Sequence, residues 1–158
     1  MSDENFKIYR SALAARYSSK EMLENFSEYK KAVTWRGLWF CLASAQREMG
    51  VTQVEESHLK EMQETMESVD FNKVNSEEAR LKHDLMAHVH AWKAILPTAG
   101  GIIHLGATSE DIKDNADLIL SRNGIDILLP KLARCCDRLA KFALKHKDLP
   151  CLGYTHLQ

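Results

Sequence analysis

The chain has 158 residues, 45% hydrophobic and 27% charged, with 7 Gly and 3 Pro, a globular composition large enough for a real core and unlike a disordered segment. A formal net charge of −1 leaves no electrostatic footprint for nucleic acid or an anionic membrane surface, so neither partner is expected. The polar start MSDENFKIYR is unlike a signal or transit peptide and no apolar run approaches the roughly 18 residues of a membrane helix, which makes the cytosol the expected compartment.

Residues 1–17 read as an extended polar arm. Ser18 followed by Glu21 fits a capping box, so a helix is expected to begin there. From about 27 to 49, Trp35, Leu38, Trp39, Leu42, Ala45 and Met49 recur at three- and four-residue spacing, a buried helical stripe that Gly50 ends. Thr52 with Glu55 opens a further helix to about 68, with Leu59, Met62 and Met66 inward. Ser76 begins another, running to about 95 and closed by Pro97.

The stretch LPTAGGIIHLGATS (96–109) combines a proline with three glycines and must be a loop, yet Ile102, Ile103 and Leu105 predict that it packs at depth. Helical patterning then resumes from about 111 to 146, with Ile112, Leu118, Ile119, Ile125, Leu128, Leu129, Leu132, Leu139 and Phe142. Pro130 should kink this helix, and Gly124 weakens it locally. Its length outruns a compact domain of this size, so it is expected to need partners, copies of itself included. No strand-like alternation competes with an all-α reading.

Three places could carry chemistry. In LKHDLMAHVHAW (81–92), Lys82, His83 and Asp84 suit anion and hydroxyl recognition, with Asp84 able to orient a histidine. Asp84 and His88 are four apart on one helical face, a spacing open to a metal pair, although no H-E-x-x-H pattern is present; His88 and His90 read more readily as packed histidines. In GGIIHLGATS, Gly101 and Gly106 have P-loop spacing, but Ala107 and Thr108 stand where Lys-Ser/Thr is required. What remains is a glycine loop delivering Thr108 and Ser109 to the start of a helix, a natural cradle for carboxylate or phosphate, with helix capping by Ser109 as the plainer use. At the far end, Tyr154, Thr155 and His156 follow a Pro and a Gly, and His156 could act as acid or base near neutral pH. Cys41, Cys135, Cys136 and Cys151 form no C-x-x-C pair, so neither a disulfide framework nor a thiolate metal site is expected.

Read together, RSALAARY (10–17), KHDLMAHVH (82–90), IIHLGATS (102–109), LLPKLARCCDRLA (128–140) and LPCLGYTHLQ (149–158) resemble the fumarase/aspartase/argininosuccinate lyase superfamily. GATS and G-[YF]-T-H-[LF]-Q are shared widely there; HDLMAHVH and RSALAARY narrow the resemblance to adenylosuccinate lyases of the animal type. The resemblance implies an N-terminal helical domain over 1–110 and, over 111–158, the first long helix of a central bundle in a homotetramer. It implies a cofactor-free, metal-free carbon–nitrogen lyase that eliminates fumarate from small-molecule substrates: adenylosuccinate, giving AMP, and the succinylated carboxamide ribotide SAICAR, giving AICAR. By matched position, Arg16 and Tyr17 would contact the nucleotide, and Lys82, His83 and Asp84 would line the substrate site, with His83 close to the chemistry. Thr108, Ser109 and Thr155 would hold the succinyl carboxylate, and His156 would be the general acid to the leaving nitrogen.

There are departures. Position 82 is Lys where the family has Arg, which keeps the charge but loses the bidentate fork. The family's catalytic serine loop, S-S-x-M-P-x-K-x-N-P, matches nothing here, so the chain is expected to be an N-terminal portion, inactive alone. The alternatives are a sibling such as argininosuccinate lyase, or a non-enzymatic helical association module.

Overall fold

The computed structural model describes residues 11–51, 53–154 and 156, and among them every regular element is helical. In chain order these are α1 (Ala12–Tyr17), α2 (Lys20–Asn25), α3 (Glu28–Glu48), α4 (Glu56–Thr65), α5 (Phe71–Leu81), α6 (Asp84–Lys93), a 3₁₀ turn (Ala99–Gly101) and α7 (Ser109–His146). The all-α expectation stands, and no helix is long and apolar enough to cross a membrane among the described residues.

Local chemistry explains the starts. Ser27 accepts the N–H of Lys30 at 3.1 Å to open α3. Asp70 accepts from Asn72 and Lys73 at 2.9 and 3.1 Å to open α5, so this helix begins five residues before the expected Ser76. Instead of one helix to about 95 there are two, because Lys82 turns left-handed (φ 54) and ends α5. His83 is therefore not inside a helix with His88 and His90 but is the extended N-cap of α6. Of the expected arm, residues 1–10 lie outside the described residues, and 12–17 are helical rather than extended. The first expected capping box is not formed: Ser19 and not Ser18 stands before α2, and its side chain makes no cap hydrogen bond. Likewise α4 starts after Glu55, whose N–H is accepted by His58 Nδ1 at 3.2 Å, while Thr52 lies outside the described residues.

The core gathers Trp35, Trp39 and Ala43 of α3, Leu59 and Met62 of α4, Leu85, Val89 and Trp92 of α6, and Ile112 and Ala116 of α7. Leu96, Ala99, Ile102 and Ile103 join it, so the glycine-rich loop is packed at depth as expected. Trp39, Trp92, Met62 and Leu85 are the largest fully buried side chains, each contributing roughly 1.5–3 kcal/mol through burial. On α3 the buried line is Ala32, Trp35, Arg36, Trp39 and Ala43, while Ala45 and Met49 face solvent. The expected stripe followed a 3.5-residue repeat, whereas a straight helix turns every 3.6 residues and carries those positions away from the core.

Arg36 is buried and closes α4: its Nη1 donates to the carbonyls of Thr65 and Met66 at 2.9 and 3.1 Å, and its guanidinium lies 4.9 Å from the Trp92 ring centre. Helix α7 runs 38 residues through Pro130 as one helix, but only Ile112, Ala116, Leu120 and Gly124 are buried. Leu118 and Ile125 are exposed, contrary to their place in the expected stripe, and so are Leu128, Leu129, Leu132, Leu139 and Phe142. The inner half is tied to α2 by Asn25, whose Nδ2 donates to the Leu120 carbonyl at 2.8 Å.

Candidate functional site

The starts of α6 and α7 meet. Asp84 occupies the first turn of α6, where the free backbone N–H groups favour a carboxylate. Lys113, one turn into α7, sits 2.9 Å from Asp84 Oδ1. Partial burial works against the Asp84 charge, but the hydrogen bond from Lys113, the Leu85 N–H and the charges of Lys113 and His83 outweigh it, and its pKa is lowered. Lys113 is held charged in return, mainly by its hydrogen bond to Asp84.

His83 adjoins this pair, its Nδ1 lying 3.6 Å from Asp84 Oδ1 and 3.4 Å from the Met86 N–H that it caps. Across the junction, Asp111 Oδ2 accepts the Thr108 N–H at 2.8 Å and fixes the entry to α7. Thr108 is thus the N-cap and Ser109 the first helical residue, one position from the capping role considered for Ser109. The loop that delivers them is pinned from α3: Gln46 Nε2 donates to the Leu105 carbonyl at 2.7 Å, and Trp39 Nε1 donates to His104 Nδ1 at 3.1 Å. From α4, Glu61 accepts from the Thr98 hydroxyl and the Ala99 N–H, both at 2.7 Å, and closes the other end of the same loop. One junction therefore holds a cation, two carboxylates, two histidines and a helix start carrying two hydroxyls.

The remaining expected residues are placed elsewhere. Lys82 opens onto a shallow cleft of about 480 Å³ with Asn75, Glu78 and Ala79. Arg16 and Tyr17 lie on α1, which buries nothing, and His156 is exposed in left-handed backbone (φ 51). Thr155 lies outside the described residues. Of the two residues weighed as a metal pair, Asp84 is paired with Lys113, while His88 packs edge-on against Trp35 (ring centres 5.0 Å apart) and against Phe71. Burial first, then the charges of Arg36 and Lys31, press the His88 pKa down to about 4. His90 faces the α5 network, 3.8 Å from Glu77 and 3.4 Å from Arg80. Among the described residues no group of three or more His, Cys, Asp or Glu side chains is placed to hold a metal ion.

The family model described as lyase matches residues 4–158. The chain belongs to the lyase family. Adenylosuccinate lyase of Schistosoma mansoni is 49% identical over 155 residues, covering 98% of this chain and 32% of that protein. The adenylosuccinate lyase of Saccharomyces cerevisiae is 48% identical over 156 residues, with the same coverage, and that of Archaeoglobus fulgidus is 38% identical over 144 residues, covering 90% of this chain and 31% of its own. The chain thus spans about a third of the length of these curated relatives. For a lyase-family chain, Lys113, His104 and Gln46 are the junction residues that sequence reasoning did not single out. His104 stood in a quoted motif without a role, and Lys113 is a lone cation within the acidic run EDIKDNAD (110–117).

Proposed function

We propose that this chain is the N-terminal part of an adenylosuccinate lyase, which eliminates fumarate from adenylosuccinate to give AMP and from SAICAR to give AICAR. The observation that supports the reading is the junction of α6 and α7, where Lys113 of α7 pairs with Asp84 of α6, His83 caps α6 and Thr108 and Ser109 open α7, in a chain of the lyase family.

In a carbon–nitrogen β-elimination a base removes a proton beside a carboxylate while an acid protonates the departing nitrogen. Thr108 and Ser109, at a helix N-terminus, hold the succinyl carboxylate with assistance from Thr155. His83 and Asp84 line the substrate site, with Lys82 supplying positive charge in place of an arginine. Arg16 and Tyr17 contact the nucleotide, and His156 gives its proton to the leaving nitrogen. Arg16, Tyr17 and His156 are exposed, as befits groups that complete the sites of neighbouring copies. In this reading residues 1–110 form the first domain, residues 111–158 open a bundle shared by a homotetramer, and the enzyme is cytosolic. The 158-residue chain alone does not turn over substrate, because no segment of it matches the family's serine loop.

The test is fumarate release from adenylosuccinate, followed by the substrate's ultraviolet signal, for this chain and for one extended past residue 158. Activity in the extended chain alone is expected. An extended chain that is folded and tetrameric yet inert would overturn the substrate assignment.

A further inference from the structure

His104 occupies left-handed backbone (φ 66), a conformation strained for a non-glycine residue that persists only where the surroundings impose it. The imposing groups come from α3. Gln46 holds the next carbonyl, at Leu105, and Trp39 Nε1 donates to His104 Nδ1 at 3.1 Å, the rings edge-on at 79°. Trp39 is only 1% exposed and lies between Trp35 and Trp92, with ring centres 6.5 and 6.0 Å away, so its N–H cannot swing to another partner. An indole N–H donates and never accepts. The nitrogen it meets must therefore offer a lone pair, and in a neutral imidazole this puts the proton on Nε2.

We propose that Trp39 is a positioning residue that fixes His104 as the neutral Nε2–H tautomer, so that the glycine loop presents a hydrogen-bond donor at the α6–α7 junction and not a base. The catalytic use of that donor rests on the lyase reading; the tautomer itself does not. A doubly protonated ring would set Nδ1–H against the Trp39 N–H, so the contact opposes protonation. Burial works in the same direction, His83 adds to it from the start of α6, and Asp111 opposes it from the first turn of α7. Facing groups thus come from three elements, and the one from α3 is uncharged.

Nitrogen-15 spectra of the histidine rings in the 158-residue chain test this, with His104 assigned by its absence in His104→Asn, a residue that tolerates left-handed backbone. The native chain is expected to show a bare Nδ1 and a protonated Nε2 at neutral pH. Trp39→Phe keeps an aromatic ring and removes the N–H; the minor Nδ1–H form of free imidazole should then reappear and the His104 pKa should rise. A protonated Nδ1 in the native chain overturns the proposal, as do unchanged signals and pKa in folded Trp39→Phe. Should Trp39→Phe fail to fold, the Trp39 indole N–H resonance decides: it must move in His104→Asn, and a fixed resonance overturns the contact. Fumarate release by the extended chain is scored separately. A locked tautomer without lyase activity removes the function and leaves the role of Trp39, and activity with a protonated Nδ1 does the reverse.

Discussion

Lys113 and Asp84 join two helix starts across 2.9 Å, and each keeps the other charged. Both side chains retain solvent access, so the pair contributes less than about 1 kcal/mol to stability. Its effect falls on Asp84. In Lys113→Met the Asp84 carboxyl is expected to titrate at higher pH, observable by carbon-13 detection of the side chain, while the denaturation midpoint moves little. A large loss of stability with an unmoved Asp84 titration would assign the pair a structural role instead.

Arg36 is expected to be among the costliest surface-to-core choices in the chain. Burial lowers its pKa to about 10, so it remains charged at neutral pH while it closes the end of α4. Arg36→Ala leaves two carbonyls without their donor and removes a partner of Trp92, and should cost about 2–4 kcal/mol in urea unfolding. Arg36→Lys should recover only part of this, because one ammonium cannot reproduce the planar contact with the Trp92 ring.

His88 supplies an acid-sensitive element. Its folded pKa of about 4 lies below the ordinary 6.5, so protonation favours the unfolded chain. The stabilisation is complete above pH 6.5 and is lost as pH falls from there towards 4, on the order of 3 kcal/mol in all. Stability measured in urea across this range should decline in the native chain and decline less steeply in His88→Phe. Parallel curves would place the acid sensitivity elsewhere.

The outer half of α7 presents Leu128, Leu132, Leu139 and Phe142 to solvent, an apolar strip too long for an isolated monomer. Sedimentation of the chain should therefore show self-association, and Leu132→Glu with Leu139→Glu should weaken it without altering the core. A monodisperse native monomer would contradict this expectation.

Legibility in the sequence followed the strength of the local signal. Helices α3 and α7 were readable because each carries a long apolar repeat at helical spacing, even though part of each repeat faces solvent. The break at Lys82 was not, since left-handed backbone is announced by glycine or asparagine and a lysine there is imposed by the α5–α6 hairpin. Helix α1 was missed because six residues that bury nothing leave no periodic trace. At the site, His83, Asp84, Thr108 and Ser109 could be named from motif and position. Their mutual arrangement could not, because Lys113, one turn into α7, and Trp39, which reaches in from α3, carry no local mark of their contacts.

The unequal burial along α7 divides one continuous helix into two regimes of amide exchange. Up to Gly124 the backbone is held by Asn25 and the core, so its protons should exchange only when the whole fold opens. Beyond it the tertiary support thins to exposed contacts, with Lys131 Nζ 3.1 Å from the Ser19 hydroxyl and 3.5 Å from Glu21, and Pro130 supplies no donor to the helical ladder. Protection should therefore fall within about two turns of Gly124 in the lone chain, and should return along the outer half as protein concentration rises. The length of the helix is written in the sequence, but its rigidity is set by whatever lies alongside it.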